Sequence, residues 1–142
     1  MKLNPKNGID LLLFGMNQKD VILVYGVPDK QFKDDDNNII FLYNKYKFRL
    51  TFYEDEDFKL GYIISSNPNL TLLEHKIIGK NVNEIKAILP FKTWEEECFD
   101  STENHFNEGN WLTLQSEFDD IIRVEIGAII NENDEFEWKF KK

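Results

Sequence analysis

Cys98 is the only cysteine in the 142-residue chain, which excludes an internal disulfide and a cysteine-rich zinc site. Histidine is nearly as scarce, with only His75 and His105. No pair of them, and no His with an acid, forms a ligand motif such as HExxH. Long apolar runs are missing as well. The longest near the start, Ile9 to Met16, is interrupted by Asp10, whereas a membrane-spanning helix needs about 20 apolar residues. A secretory leader needs a longer apolar core and a small-residue cleavage site, so the expectation is a cytoplasmic protein with no membrane partner. Gly8, Gly15 and Gly26 are too dispersed for a phosphate-cradling loop.

Positive charge is locally absent too. From Thr93 to Asp120 there are nine Asp or Glu residues and no Lys or Arg, equal to the whole formal charge of −9. An acidic chain attracts basic surfaces and repels nucleic acid, whose binders use cations to displace counterions. Within TWEEECFDSTENHFNEGNWL the acids alternate with large aromatics. Aromatics anchor interfaces and charges steer approach, so a basic protein partner is expected at Trp94, Glu95, Glu96, Glu97, Asp100, Glu103, Trp111, Asp119 and Asp120. A solvated acidic face that only aids solubility is the competing reading.

What the chain has in plenty is apolar and aromatic residues, 42% and 14%, enough for one core. A chain of this length buries roughly 68–70% of its unfolded surface, so a single domain is expected over 1–142. Gly15 aligns with Gly79, Asn17 with Asn81, Asp20 with Glu84, Val21 with Ile85 and Val24 with Ile88. Asn followed three residues later by an acid resembles a capping box, with Met16 and Val21 at the staple positions. Both short helices stop at prolines or glycine, Gly26–Pro28 and Pro90.

Alternating stretches follow each helix. IIFLYN (39–44), YKFRLTFY (46–53) and FKLGYIISS (58–66) read as strands, then a segment at 93–99, NWLTLQSEF, IIRVEIGAII and EFEWKF. The fold class expected is α+β. Two tandem repeats (about 1–72 and 73–142) of a short helix plus antiparallel meander form one continuous antiparallel sheet, with both helices on one face. The other face is expected to be half-polar and exposed.

The run NGIDLLLFGMNQKDVILVYGVPD matches the pattern G-I-x-x-x-x-F-G-M-x-x-x-[DE]-V followed by G-x-P-D. It resembles the tandem helix-plus-sheet modules of the β-lactamase inhibitor protein and of the outer-membrane-assembly lipoprotein. Residues 8–29 carry the similarity, and 77–89 carry it more weakly, with Lys80 in place of Met. Stand-alone cytosolic relatives include toxin immunity proteins of contact-dependent inhibition. The resemblance therefore implies a non-enzymatic immunity or inhibitor protein that neutralises a cognate toxin, with a nuclease as the expected target. The alternative it implies is a structural or assembly adaptor of the cell envelope.

Catalytic chemistry finds little support. Cys98, beside Glu97 and Asp100, is a poor nucleophile candidate, and a buried structural role is expected there. His105 is expected in a solvated loop. Acids are too numerous for any carboxylate pair to stand out, and Asp34–Asp36 lacks the glycine and terminal Glu of a calcium loop. No catalytic residue, metal or cofactor is expected.

Overall fold

Asn17 begins the first helix as its chemistry dictates. Its side chain accepts from the Asp20 N–H at 2.9 Å, and the Asp20 carboxylate accepts in return from the Asn17 N–H at 2.9 Å. Two donors that a helix start leaves orphaned are thereby satisfied. The helix α1 spans Gln18–Tyr25 and buries Val21 beside the buried Met16. A second helix, α2 (Val82–Ile88), starts at Asn81, whose side chain accepts from the N–H groups of Asn83 and Glu84. Its buried residues are Val82 and Ile85.

The computed structural model describes residues 1–141. In its first half the strands are β1 (Lys2–Asn4), β2 (Gly8–Ile9), β3 (Leu12–Leu13), β4 (Lys30–Lys33), β5 (Ile39–Tyr43), β6 (Phe48–Tyr53) and β7 (Lys59–Ser65). In the second half they are β8 (Thr71–Leu72), β9 (His75–Lys76), β10 (Glu95–Phe99), β11 (Thr102–Asn107), β12 (Leu112–Glu117) and β13 (Asp120–Gly127).

They form two sheets. The smaller has the order β3-β2-β1-β8-β9, with β1 parallel to β8 through Lys2↔Thr71 and Leu3↔Leu72. The larger has the order β10-β11-β12-β13-β7-β6-β5-β4 and is antiparallel throughout. Strands hold 43% of the chain and helices 15%, which makes the protein mostly β. The expected α+β class, two repeats building one continuous sheet, is therefore corrected: a second, mixed sheet is present, and the helices are minor. The short strands that build it are two or three residues long, too short to carry a period-2 signal. EFEWKF is not a strand. Ile130 and Phe136 form an isolated bridge, after which Lys139 and Phe140 N–H groups donate to the Phe14 carbonyl.

Both helix starts are tied to the large sheet by the same pair of bonds. The Gly15 N–H donates to Leu60 O and the Leu60 N–H to Met16 O. Likewise the Gly79 N–H donates to Ile121 O, and the Ile121 N–H to Lys80 O. Period-2 alternation holds in β6, where Phe48, Leu50 and Phe52 are buried and Arg49 is exposed. These side chains join Phe41, Leu60, Ile63, Leu114 and Val124 with Leu3, Phe14 and Leu72 near the small sheet in one core. The opposite, outer face of the large sheet carries the exposed side chains considered next.

Candidate functional site

Alternation along β10 sends its acids to two faces. The register Glu96↔His105 and Cys98↔Glu103 puts Glu96 and Glu103 on the inner face, and Glu95↔Phe106 and Glu97↔Asn104 puts Glu95 and Glu97 on the outer one. Every residue of β10 is exposed, because it is an edge strand. Charged side chains on such an edge also hinder stray strand pairing.

On the inner face His105 is buried, 1% exposed, which corrects the solvated-loop expectation. Its Nδ1 lies 3.1 Å from the Lys86 ammonium and 3.3 Å from Glu96 Oε1, while Nε2 lies 3.2 Å from Ser116 Oγ. An ammonium has only donors, so Nδ1 accepts and the Nε2–H donates to the serine. Burial, followed by the Lys86 charge, holds the imidazole below its usual pKa; Glu96, Glu103 and Asp119 pull the other way. Lys86 also reaches Glu96 at 3.7 Å and stands over the Trp94 ring, whose Nε1–H donates to the Phe91 carbonyl. Glu96, His105 and Ser116 thus stand in the order of a hydrolase triad. Yet Ser116 is 0% exposed and an ammonium takes the histidine nitrogen a carboxylate would orient, so this knot braces α2 against β10–β12. Glu96, Glu103 and His105 bring ligand atoms within 4.8 Å of one another, and the Lys86 ammonium supplies the cation there.

The knot predicts an acid-sensitive fold. With its folded pKa depressed, His105 binds a proton more readily in the unfolded chain, so stability falls as pH drops below about 6.5. Urea midpoints at about pH 5.5 and 7.5 should separate for the wild type and converge for His105→Gln across that window. Equal separation in both proteins would remove His105 as the cause.

The outer face carries Glu95 and Glu97, and a different set of neighbours. A shallow concavity of about 440 Å³ is lined by Glu95, Glu97, Glu125, Tyr62, Phe106 and Thr113, with Glu96 at its rim. The Tyr62 hydroxyl donates to Glu125 Oε1 at 2.6 Å; burial and this bond both push the phenol's pKa up. Trp111 stands edge-on to Phe106, centroids 5.2 Å apart, and lies over Gly127. A Cβ on Gly127 would come within 2.2 Å of the indole, so the glycine is what lets the ring lie flat on β13. Glu95 and Glu97 make no ion pair or hydrogen bond among the described residues.

The anticipated docking residues are thus divided. Glu95, Glu97 and Trp111 share the outer face; Trp94, Glu96 and Glu103 belong to the inner knot. Asp100 turns the β10–β11 hairpin, and Asp119 and Asp120 sit at the β12–β13 turn, where Asp119 O accepts from the Val82 N–H. Sequence reading missed Tyr62 and Glu125, which the β7–β13 pairing joins across 63 positions. Cys98 is exposed, contrary to the buried role expected, because nothing covers the edge strand.

A larger concavity, about 740 Å³, occupies the other half of the same outer face. Lys47, Arg49 and Arg123 line it with Leu42, Ile64 and Ile122, and no acid contributes. Arg49 and Lys30 both stand over the Phe32 ring.

No family model matches the chain, and no curated protein matches it. The fold is similar to that of proteins with a secretory or extracellular description. One is a cysteine-rich secretory protein from Staphylococcus aureus subsp. aureus Mu50, with TM-score 0.55 and 12% identity over 96% of this chain and 54% of that one. Another is an extracellular protein containing a SCP domain from Bacillus anthracis str. Ames, with TM-score 0.53 and 11% identity over 80% of this chain and 43% of that one. The chain spans about half the length of these proteins, and at such identity the likeness is one of fold alone. It corrects the resemblance to β-lactamase-inhibitor-protein and assembly-lipoprotein modules. The immunity-protein, toxin-inhibitor and contact-dependent-inhibition readings lose their basis with it.

Proposed function

We propose that the chain is a non-enzymatic binding module that docks a basic protein surface on the acidic half of its outer face. The observation that carries this reading is the pair Glu95 and Glu97, exposed and without a partner among the described residues, beside Tyr62, Phe106 and Trp111. Clustered carboxylates repel one another, and a cationic partner relieves that repulsion while aromatic rings supply contact area. The sealed Ser116 and His105 leave no accessible nucleophile at the only triad-like cluster among the described residues, which favours binding over catalysis.

An arginine-rich peptide is the direct probe. Fluorescence anisotropy should show binding that weakens as salt rises from about 50 to 300 mM, because screening shortens the reach of exposed charges. Glu95→Lys with Glu97→Lys should weaken it at least tenfold, roughly 1.4 kcal/mol, by charge repulsion. Both positions are exposed, so stability should change by only about 0.5 kcal/mol. Undiminished affinity in the double variant would refute the proposed face.

A further inference from the structure

We infer that the basic surface docking on the acidic half of the outer face is the cationic half of a second copy, giving a two-fold face-to-face dimer. The inference rests on the docking reading above and names its partner. The sheet register sets out the geometry. One cross-strand row on the outer face runs Glu95, Phe106, Thr113, Glu125, Ile64, Arg49, Leu42, Lys30. Acid stands at one end, base at the other, and mostly apolar or neutral side chains lie between.

The rest of the face follows suit. Its charged residues are the acids Glu95, Glu97, Glu117, Asp120 and Glu125 on β10, β12 and β13, and the bases Lys30, Lys47, Arg49, Lys59 and Arg123 on or beside β4, β6, β7 and β13. Arg49 and Arg123 are the only arginines in a chain with 26 acids, and neither forms an ion pair among the described residues. A face charged this way complements itself when turned by a two-fold axis that lies in the face, parallel to the strands. Each copy's Glu95 and Glu97 on β10 then oppose the other's Lys30 on β4, and its Glu125 lies across from Ile64, beside Arg49, as isologous contacts require. Ile64 and Tyr62 of β7 meet near the axis, where an interface needs its apolar centre. Pairing through a parallel displacement would leave one charged end unmatched.

Size is compatible. Eight strands spaced about 4.8 Å apart and about 20 Å long offer roughly 600–700 Å² per copy. Two copies then bury roughly 1,300 Å², within the range of specific interfaces. Net charge of −9 on each copy opposes association, but at about 150 mM salt repulsion beyond about 8 Å is screened, while the contact face is itself balanced.

Sedimentation equilibrium at that salt tests the inference with the full chain. Mass should rise with concentration from 16.9 kDa toward twice that value. Glu95→Lys/Glu97→Lys and Lys30→Glu should each lose self-association at least tenfold, since each opposes like charges. Mixed in equal amounts they should form a heterodimer, because both contacts again join opposite signs. Circular dichroism and the cooperative urea transition check that these exposed substitutions leave the fold intact. Wild type that stays at 16.9 kDa, variants that associate as wild type does, or a mixture that stays monomeric would each overturn the dimer. A monomer that still binds the arginine-rich peptide at Glu95 and Glu97 overturns the dimer alone and leaves the face to a different basic protein. A monomer that binds neither overturns both readings.

Discussion

Gly8→Ala should destabilise the protein by about 3–5 kcal/mol, at the top of the range for one substitution. Gly8 has φ of 148° and begins β2, which folds directly back onto β3. A Cβ there would lie 1.8 Å from the Leu12 carbonyl oxygen and 2.8 Å from its carbon. Backbone cannot swing aside as a side chain can, so the hairpin must open or shift. Leu12 and Ile9 are both buried in the core, and moving them exposes apolar surface as well. Gly26→Ala supplies the control. Its φ is 83° with ψ of −175°, a region that glycine alone ordinarily adopts, yet no atom lies within 4 Å of the added Cβ, so only the backbone conformation costs, about 1–3 kcal/mol. Urea unfolding of both variants measures the contrast. Equal losses would mean that the β2–β3 contact is not tight.

That hairpin also marks where sequence reading stopped. Asn17 and Asp20 announced a capping box, and Phe48, Leu50 and Phe52 announced a buried strand face, because both signals are local in the chain. The small sheet depends instead on Leu3 finding Leu72, a parallel pairing across 69 positions carried by strands of two or three residues. No periodicity survives in so short a segment. The site divides in the same way. The acids of β10 were visible as composition, but composition does not say that neighbours such as Glu95 and Glu96 face opposite ways until the strand is known. His105 was read as a loop residue because its polar neighbours, Asn104 and Glu103, lie in sequence; its burial comes from Lys86 and Ser116, 19 and 11 positions away. The cationic half of the outer face escaped notice altogether, since Arg49 and Arg123 meet only through β7 between them.

Phe52→Ala should cost about 3–5 kcal/mol by a different route, the loss of core volume. Phe52 is fully buried on the inner face of β6, and its ring meets Phe41 of β5 at 4.8 Å with the planes 62° apart. Edge-to-face contact of this kind adds about 0.5–1.5 kcal/mol beyond area burial. Truncation therefore removes the transferred apolar area, leaves a cavity that the sheet cannot close, and strips Phe41 of its partner. For a domain of this size the melting temperature should fall by on the order of 10 °C. Phe41→Ala should cost a similar amount, and the double variant less than the sum, because the second truncation no longer breaks the ring contact. Urea midpoints at unchanged m-value are the measurement. Strict additivity would show that the pair contributes burial alone, and a loss below about 1 kcal/mol for Phe52→Ala would contradict its place at the centre of the core.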